Sequence, residues 1–322
     1  MALRFNPFTR PNNDTGFGTT TTGYGGRFLN RNGTFNIRRE GVSFSERISV
    51  YNYLLKASRS TFLLITFAYL FTINLLYTGI YLLGGFDGLT GYNMQGTWAN
   101  MREVFYFSCQ TFTTVGYGDM HPVSDFTNIV ASIEAMNGWL TFALFTGLIY
   151  GRFARPRPHL RFSEIAVVAP YRGITGLMLR FVSTKESHTL TNVQVTVGLG
   201  LQVNENGSPV YRFYDLLLER NHVDSLPMNF TVVHPINEQS PLWGYSAADL
   251  EEADVELFVL VQAFDDVYNA TVQQRTSYTF NEIRVGEKFV SMFRESDDKN
   301  TTILEVQKLS TVVSAPVTQP VA

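Results

Sequence analysis

Two stretches of the chain show no alternation of polar and apolar positions. Residues 61–85, TFLLITFAYLFTINLLYTGIYLLGG, carry no charged side chain, and about 20 apolar residues are what a helix needs to cross a bilayer. Residues 126–153, FTNIVASIEAMNGWLTFALFTGLIYGRF, form a second run whose only acid is Glu134. The pattern predicts two membrane-spanning helices. Past residue 155 the period changes to two: in NVQVTVGLGLQV (192–203), Val193, Val195, Val197, Leu199, Leu201 and Val203 fall on one side of a half-buried strand. NENGSP then supplies turn residues, and further strand patterns occupy 210–218, 229–235, 255–264, 271–280 and 288–293. Several strands, short turns and few helical runs predict an immunoglobulin-like β-sandwich. The fold class is therefore multi-domain α + β, a two-helix membrane module followed by a sandwich.

Ahead of the first span, SERISVYNYLLKAS (45–58) places Ile48, Tyr51, Leu54 and Leu55 near one helical face with Arg47 and Lys56 at its margins, the pattern of a helix lying in the membrane interface. Basic residues sort the two sides of the membrane. Arg38, Arg39, Arg47, Lys56 and Arg59 precede the first span, while Arg152, Arg155, Arg157 and Arg161 follow the second. Both termini are expected in the cytoplasm and the loop between the spans outside. The first 26 residues, rich in Thr, Gly and Asn, and the last dozen, rich in small residues and Pro, read as mobile tails.

Composition removes several function classes. The formal net charge is −3 over 322 residues, so no bulk field points to nucleic acid. A single cysteine, Cys109, excludes an intrachain disulfide framework and suits a reducing compartment. The five histidines show no metal-ligand spacing, and no Ser/His/Asp set, Walker loop or zinc motif is discernible. No enzyme chemistry and no cofactor are expected.

The loop between the spans carries the chemistry. NMREVFYFSCQTF offers Asn100 as an N-cap with Glu103 at capping-box spacing, predicting a short helix over 101–112. Thr114, Val115, Gly116, Tyr117 and Gly118 follow it. Irregular backbone at membrane depth survives only where it lines a polar path. Glycine accepts positive φ without steric cost, so alternating Gly116 and Gly118 with Val115 and Tyr117 turns successive carbonyls towards one axis. Such carbonyls replace the water shell of a potassium ion, and the C-terminal end of the preceding helix favours a cation below them. In the second span Glu134, Gly138, Phe142, Thr146 and Tyr150 recur every four residues, which reads as one gently drifting stripe lining the path. Glu134 must face protein or water. Arg152, Arg155 and Arg157 form a cluster of the kind that attracts anionic headgroups.

TVGYG resembles the filter signature of potassium channels. GRFLNRNGTFNI (26–37), VVHPINEQSPLWGYS (232–246) and QQRTSYTFNEIRVGEKF (273–289) resemble segments of the inward-rectifier potassium channels, especially their bacterial members. The resemblance runs from about residue 26 to 293. It implies a two-transmembrane-helix potassium-channel pore module, a homotetramer conducting K+ passively, and a cytoplasmic β-sandwich that influences the gate. The implied division is an N-terminal segment over 1–44, an interfacial slide helix over 45–58, a pore domain over 59–154 (outer helix 61–85, pore helix 101–112, filter 114–118, inner helix 126–153), a sandwich over 155–309 and a tail over 310–322. It implies the filter at Thr114 to Gly118, filter support from Gln110, Asp119 and Glu134, a hinge and gate among Gly138, Phe142, Thr146 and Tyr150, and lipid contacts at Arg152, Arg155 and Arg157. No voltage-sensor array of arginines is present. The implied location is the cell membrane of a bacterium.

The chain departs from the family pattern in places. Gln110 and Met120 stand where many relatives carry a Glu and its Arg partner around the filter, so that ion pair is absent. Phe142 and Gln262 stand at positions usually acidic in strongly rectifying relatives, as does Asn206 with Glu205 adjacent, which predicts weak block by internal polyamines. The other reading is a membrane-anchored β-sandwich that binds or senses a ligand without conduction. Six Asn-x-Ser/Thr sites (Asn13, Asn32, Asn206, Asn229, Asn269, Asn300) favour it; the basic flanks oppose it.

Overall fold

The computed structural model describes residues 6, 9, 11–12, 27–41, 43, 49–91, 96–154, 156, 158–185, 187–205 and 208–317. The chain divides into a unit over Glu40–Arg155 and a unit made of Met1–Arg39 with Pro156–Ala322.

Serine side chains open three helices of the first unit. Ser49 caps α1 (Val50–Lys56), Ser58 caps α2 (Arg59–Leu83) and Ser124 caps the fourth helix of the unit, α4 (Asp125–Phe153), each accepting a backbone N–H three residues on. With α3 (Thr97–Phe112) between them, α2 and α4 are, among the described residues, the two helices long and apolar enough to span a membrane. Their surfaces are bare apolar side chains, such as Leu64, Phe67, Ile129 and Leu144, as expected where lipid and not water is the solvent. The loop carrying α3 is clasped by an antiparallel pair, β1 (Leu89–Thr90) with β2 (His121–Pro122). Tyr77, Tyr81, Leu89, Val104, Phe107, Phe112 and Val130 form the core where α2, α3 and α4 meet.

The helix α3 begins earlier than the sequence pattern predicts. Its N-cap is Gly96, and Asn100 and Glu103 lie inside the helix, so the predicted capping box does not form. The turn ahead of Asn100 (Thr97 to Ala99) holds no Gly or Pro to stop the helix, so the helix starts after Gly96 instead. Among the described residues of the slide-helix segment, Val50–Lys56 is helical; residues 45–48 lie outside the described residues.

In the second unit two five-stranded sheets face each other. One has the order β11 (Ala270–Thr279), β10 (Glu256–Asp265), β6 (Leu190–Glu205), β7 (Ser208–Asp215), with β8 (His222–Ser225) also on β6. The other has the order β12 (Ile283–Val285), β4 (Ala166–Tyr171), β5 (Ile174–Ser183), β3 (Leu160–Phe162), with β9 (Asn229–Ile236) also on β5. All six alternating residues from Val193 to Val203 are buried between them. Thus the predicted sandwich and the alternation of β6 are both present. The strands β3, β4, β5, β8 and β12 escape the sequence pattern. In β4 and β5 apolar residues pack on both faces: Val168, Leu177 and Leu179 enter the central core, while Val167, Ala169 and Met178 pack with Val233 outside it. Burial on two faces erases the period of two.

The predicted strand at 288–293 divides into β13 (Glu287–Phe289) and β14 (Phe293–Glu295), the latter paired with β15 (Thr302–Leu304). The tail expected to be mobile from residue 310 holds β16 (Val312–Ser314), which pairs with β13. Two asparagine side chains likewise tie described residues of the N-terminal tail to the sandwich: Asn12 donates to Asp215, and Asn6 to the carbonyls of Glu238 and Ser240. The GRFLNRNGTFNI segment is anchored more firmly. The buried Glu256 carboxylate accepts the N–H groups of Phe28 (2.8 Å) and Leu29 (3.1 Å), Arg27 pairs with Glu282 at 3.0 Å, and Phe28 packs its ring against Tyr211, Phe213 and Phe258.

Candidate functional site

The segment after α3 folds back over the helix end. Thr114 N–H donates to the Thr111 carbonyl (3.0 Å), and the Gln110 carbonyl accepts both Val115 N–H (3.0 Å) and Gly116 N–H (3.2 Å). Gln110 thus supports this segment through its backbone. Along the segment the hand of the backbone alternates: φ is 59° at Thr114, 51° at Gly116 and 86° at Gly118, while Val115 and Tyr117 stay on the ordinary side. The positive φ at Gly116 and Gly118 is the conformation that the two glycines permit without steric cost. Thr114 adds to it a β-branched residue in the left-handed region, a strained conformation of the sort that concentrates at working sites. The side chains of Val115 and Tyr117 are 56% and 73% exposed, and no atom lies within 4 Å of where a Cβ on Gly116 or Gly118 would be. Asp119 is exposed, and its carbonyl packs against Gly91.

Behind the segment lies a fully buried carboxylate. Glu134 on α4 accepts Tyr81 Oη at 2.6 Å and Ser108 Oγ at 2.5 Å. These donors come from α2 and α3, so one side chain ties three helices together. Ser108 Oγ also lies 3.2 Å from Asn74 Oδ1, and one level away Asn137 donates to Tyr77 Oη at 3.1 Å. A carboxylate at membrane depth is costly alone; charge-assisted hydrogen bonds from two hydroxyls offset that cost. Sequence reading singled out Glu134 and missed Tyr81, Ser108 and Asn74. Their signal was a polar atom in an otherwise apolar run.

The stripe on α4 does not stay on one face. Each four-residue step overshoots a full turn by about 40°, so the five positions fan out. Glu134 and Gly138 are buried against protein, whereas Phe142, Thr146 and Tyr150 are exposed, Phe142 at 72% and Tyr150 at 74%. A Cβ on Gly138 would sit 1.8 Å from the Phe112 carbonyl oxygen. Gly138 is therefore the point where α4 touches the end of α3. Arg152 turns inward: its guanidinium donates to the carbonyls of Leu54 and Ala57 and stacks over the Phe62 ring. Arg155 and Arg157 lie outside the described residues, as does Asn206.

With this geometry in hand, comparison with known proteins gives a consistent answer. Residues 68–155 match the ion-channel family model, and residues 160–322 match the model of the inward rectifier potassium channel C-terminal domain. The chain is 31% identical over 274 residues to the inward rectifier potassium channel Kirbac3.1 of Paramagnetospirillum magnetotacticum, covering 84% of this chain and 91% of that protein. It is 32% identical over 228 residues to the human ATP-sensitive inward rectifier potassium channel 12, covering 66% of this chain and 51% of that one, and 31% identical over 228 residues to the chicken protein of the same name. The chain spans about half the length of those animal relatives.

The matches define a membrane ion channel, a two-helix pore module joined to a β-rich C-terminal domain, and not an enzyme. More narrowly, the chain belongs to the inward-rectifier potassium channel family, whose transported ion is K+.

Proposed function

We propose that four copies of this chain surround one axis and conduct K+ passively and selectively, with the carbonyls from Thr114 to Gly118 as the filter. The observation that carries this reading is the alternating backbone hand of that segment, held by the Gln110 carbonyl and backed by the buried Glu134 network. Four such strands around an axis make rings of carbonyls that substitute for the ion's hydration shell. Val115 and Tyr117, bare in one chain, are then covered by neighbouring copies. Phe142, Thr146 and Tyr150 face the path below the filter, with Tyr150 as the constriction at its end, and the slide helix, sandwich and anionic lipids bias that gate. Both termini face the cytoplasm, and the membrane is the cell membrane of a bacterium.

Purified protein in liposomes tests this directly. Wild-type vesicles take up K+ in preference to Na+, and added anionic lipid changes the rate. Gly116→Ala places a Cβ on a left-handed residue, so its flux falls or loses selectivity. An unchanged preference for K+ over Na+ in that variant sinks the filter assignment.

A further inference from the structure

Three elements of the helical unit meet at Arg152. It sits in the last turn of α4, two residues beyond Tyr150. The carbonyls it engages belong to the last turn of α1 and to Ala57, the elbow between α1 and α2. Carbonyls at a helix end lack intrahelical partners, and a cation there meets the negative end of the peptide dipoles. The contact with Ala57 is 2.8 Å, and the guanidinium carbon lies 4.5 Å from the centroid of the Phe62 ring, itself buried. Among the described residues no carboxylate pairs with Arg152. Beside it, a Cβ on Gly151 would lie 3.3 Å from Leu55 Cδ2, so the same stretch of α4 also brings α1 close through its missing side chain.

We propose that Arg152 is a positioning residue, a joint whose planar fork bolts α1 and its elbow to the last turn of α4. Two of the guanidinium's nitrogens, Nη1 and Nη2, are taken by protein carbonyls, which leaves fewer donors for the lipid contact its sequence position implied. A planar fork can donate to two carbonyls while lying flat on a ring; the single ammonium of a lysine cannot do all three. Because α4 is one continuous helix from Asp125 to Phe153, the joint sets the position of α1 relative to Tyr150. Its consequence for flux rests on the pore reading above; the joint itself does not.

The test uses the full chain in nanodiscs of neutral lipid, comparing wild type, Arg152→Lys and Arg152→Gln by hydrogen exchange across residues 50–57. Loss of two forked bonds and a stacked ring raises exchange in α1 about tenfold in both variants. Faster exchange in Arg152→Gln with wild-type exchange in Arg152→Lys shows that only the charge matters and overturns the joint, as does unchanged exchange in both. Phe62→Leu removes the ring and keeps the carbonyl bonds, so it gives a smaller rise; should the Arg152 variants not fold, no rise in Phe62→Leu overturns the joint. Wild-type protein that conducts no K+ yet shows these exchange responses sinks the channel reading and leaves the joint standing.

Discussion

At the scale of single residues, glycines on α4 separate contact from freedom. Gly138 occupies the position that the family resemblance marks as a hinge, yet its surroundings leave no room for a methyl, whose carbon would overlap the Phe112 carbonyl at 1.8 Å. Gly147, nine residues on, meets nothing within 4 Å. The two therefore respond in opposite ways to the same substitution. Gly138→Ala must push α4 away from the end of α3, and with it Glu134 from Ser108 and Tyr81; overpacking of this kind costs about 1–3 kcal/mol. Gly147→Ala adds a better helix former, worth up to about 1 kcal/mol in a helix interior. Thermal unfolding in detergent reads both, with a lower midpoint for Gly138→Ala and an equal or higher one for Gly147→Ala. If Gly138→Ala unfolds like wild type while its gating changes, Gly138 is a hinge after all. Gly116 and Gly118 were legible in sequence because their demand for positive φ is local; Thr114 was not, because its left-handed φ of 59° goes with the bonds that return to Gln110 and Thr111.

Elements were legible wherever one physical demand dominated. The spans and β6 follow directly from their apolar patterns, since lipid or a one-sided core selects every position. The strands β4 and β5 escaped because they are buried on both faces, and β16 because its Val-Val-Ser lies in a stretch whose composition reads as linker. The loop after β9 is a further element that sequence motifs marked without explaining. His234 at the end of β9 donates from Nδ1 to the Leu217 carbonyl (2.7 Å), which leaves Nε2 to accept from Ser240 Oγ (2.8 Å); Ser240 Oγ in turn accepts Leu242 N–H (3.1 Å). Burial holds this imidazole below its usual pKa. The folded state thus prefers the neutral ring, while the unfolded chain binds a proton near pH 6.5. Stability from His234 is fully present above that value and is lost as pH falls below it. The unfolding midpoint of the full chain should fall as pH drops below about 6.5, and His234→Gln should be less stable above that pH but show a shallower decline below it. An equally steep decline in the variant assigns the acid sensitivity to other groups.

For the whole molecule, the break in hydrophobic period near residue 155 made two units readable, whereas the surfaces on which the proposed copies would meet were not, because a membrane-facing and a copy-facing apolar side chain look alike in sequence. Two consequences of a fourfold path belong to this scale. If four α4 ends converge as proposed, the Tyr150 rings, exposed in a single chain, would narrow and dewet the path; Tyr150→Ala should then raise basal K+ flux many-fold, and equal flux at matched protein density would move the barrier away from Tyr150. The second consequence concerns block from the inside, which in strongly rectifying relatives depends on rings of acids. Here Phe142 projects from α4 as an apolar ring, 72% exposed. On the sandwich, Gln262 stands directly between Gln194 on β6 and Gln273 on β11, a row of neutral amides across three strands. Fourfold repetition magnifies the difference, since a ring of carboxylates focuses field in a narrow path and a ring of amides does not. Internal spermine should therefore block weakly and with shallow voltage dependence in planar bilayers, and Phe142→Asp should partly restore block by supplying four charges at one level. Steep block of the unmodified channel would place the polyamine site at an acid elsewhere, either at Glu205 or at a Glu134 released from Tyr81 and Ser108.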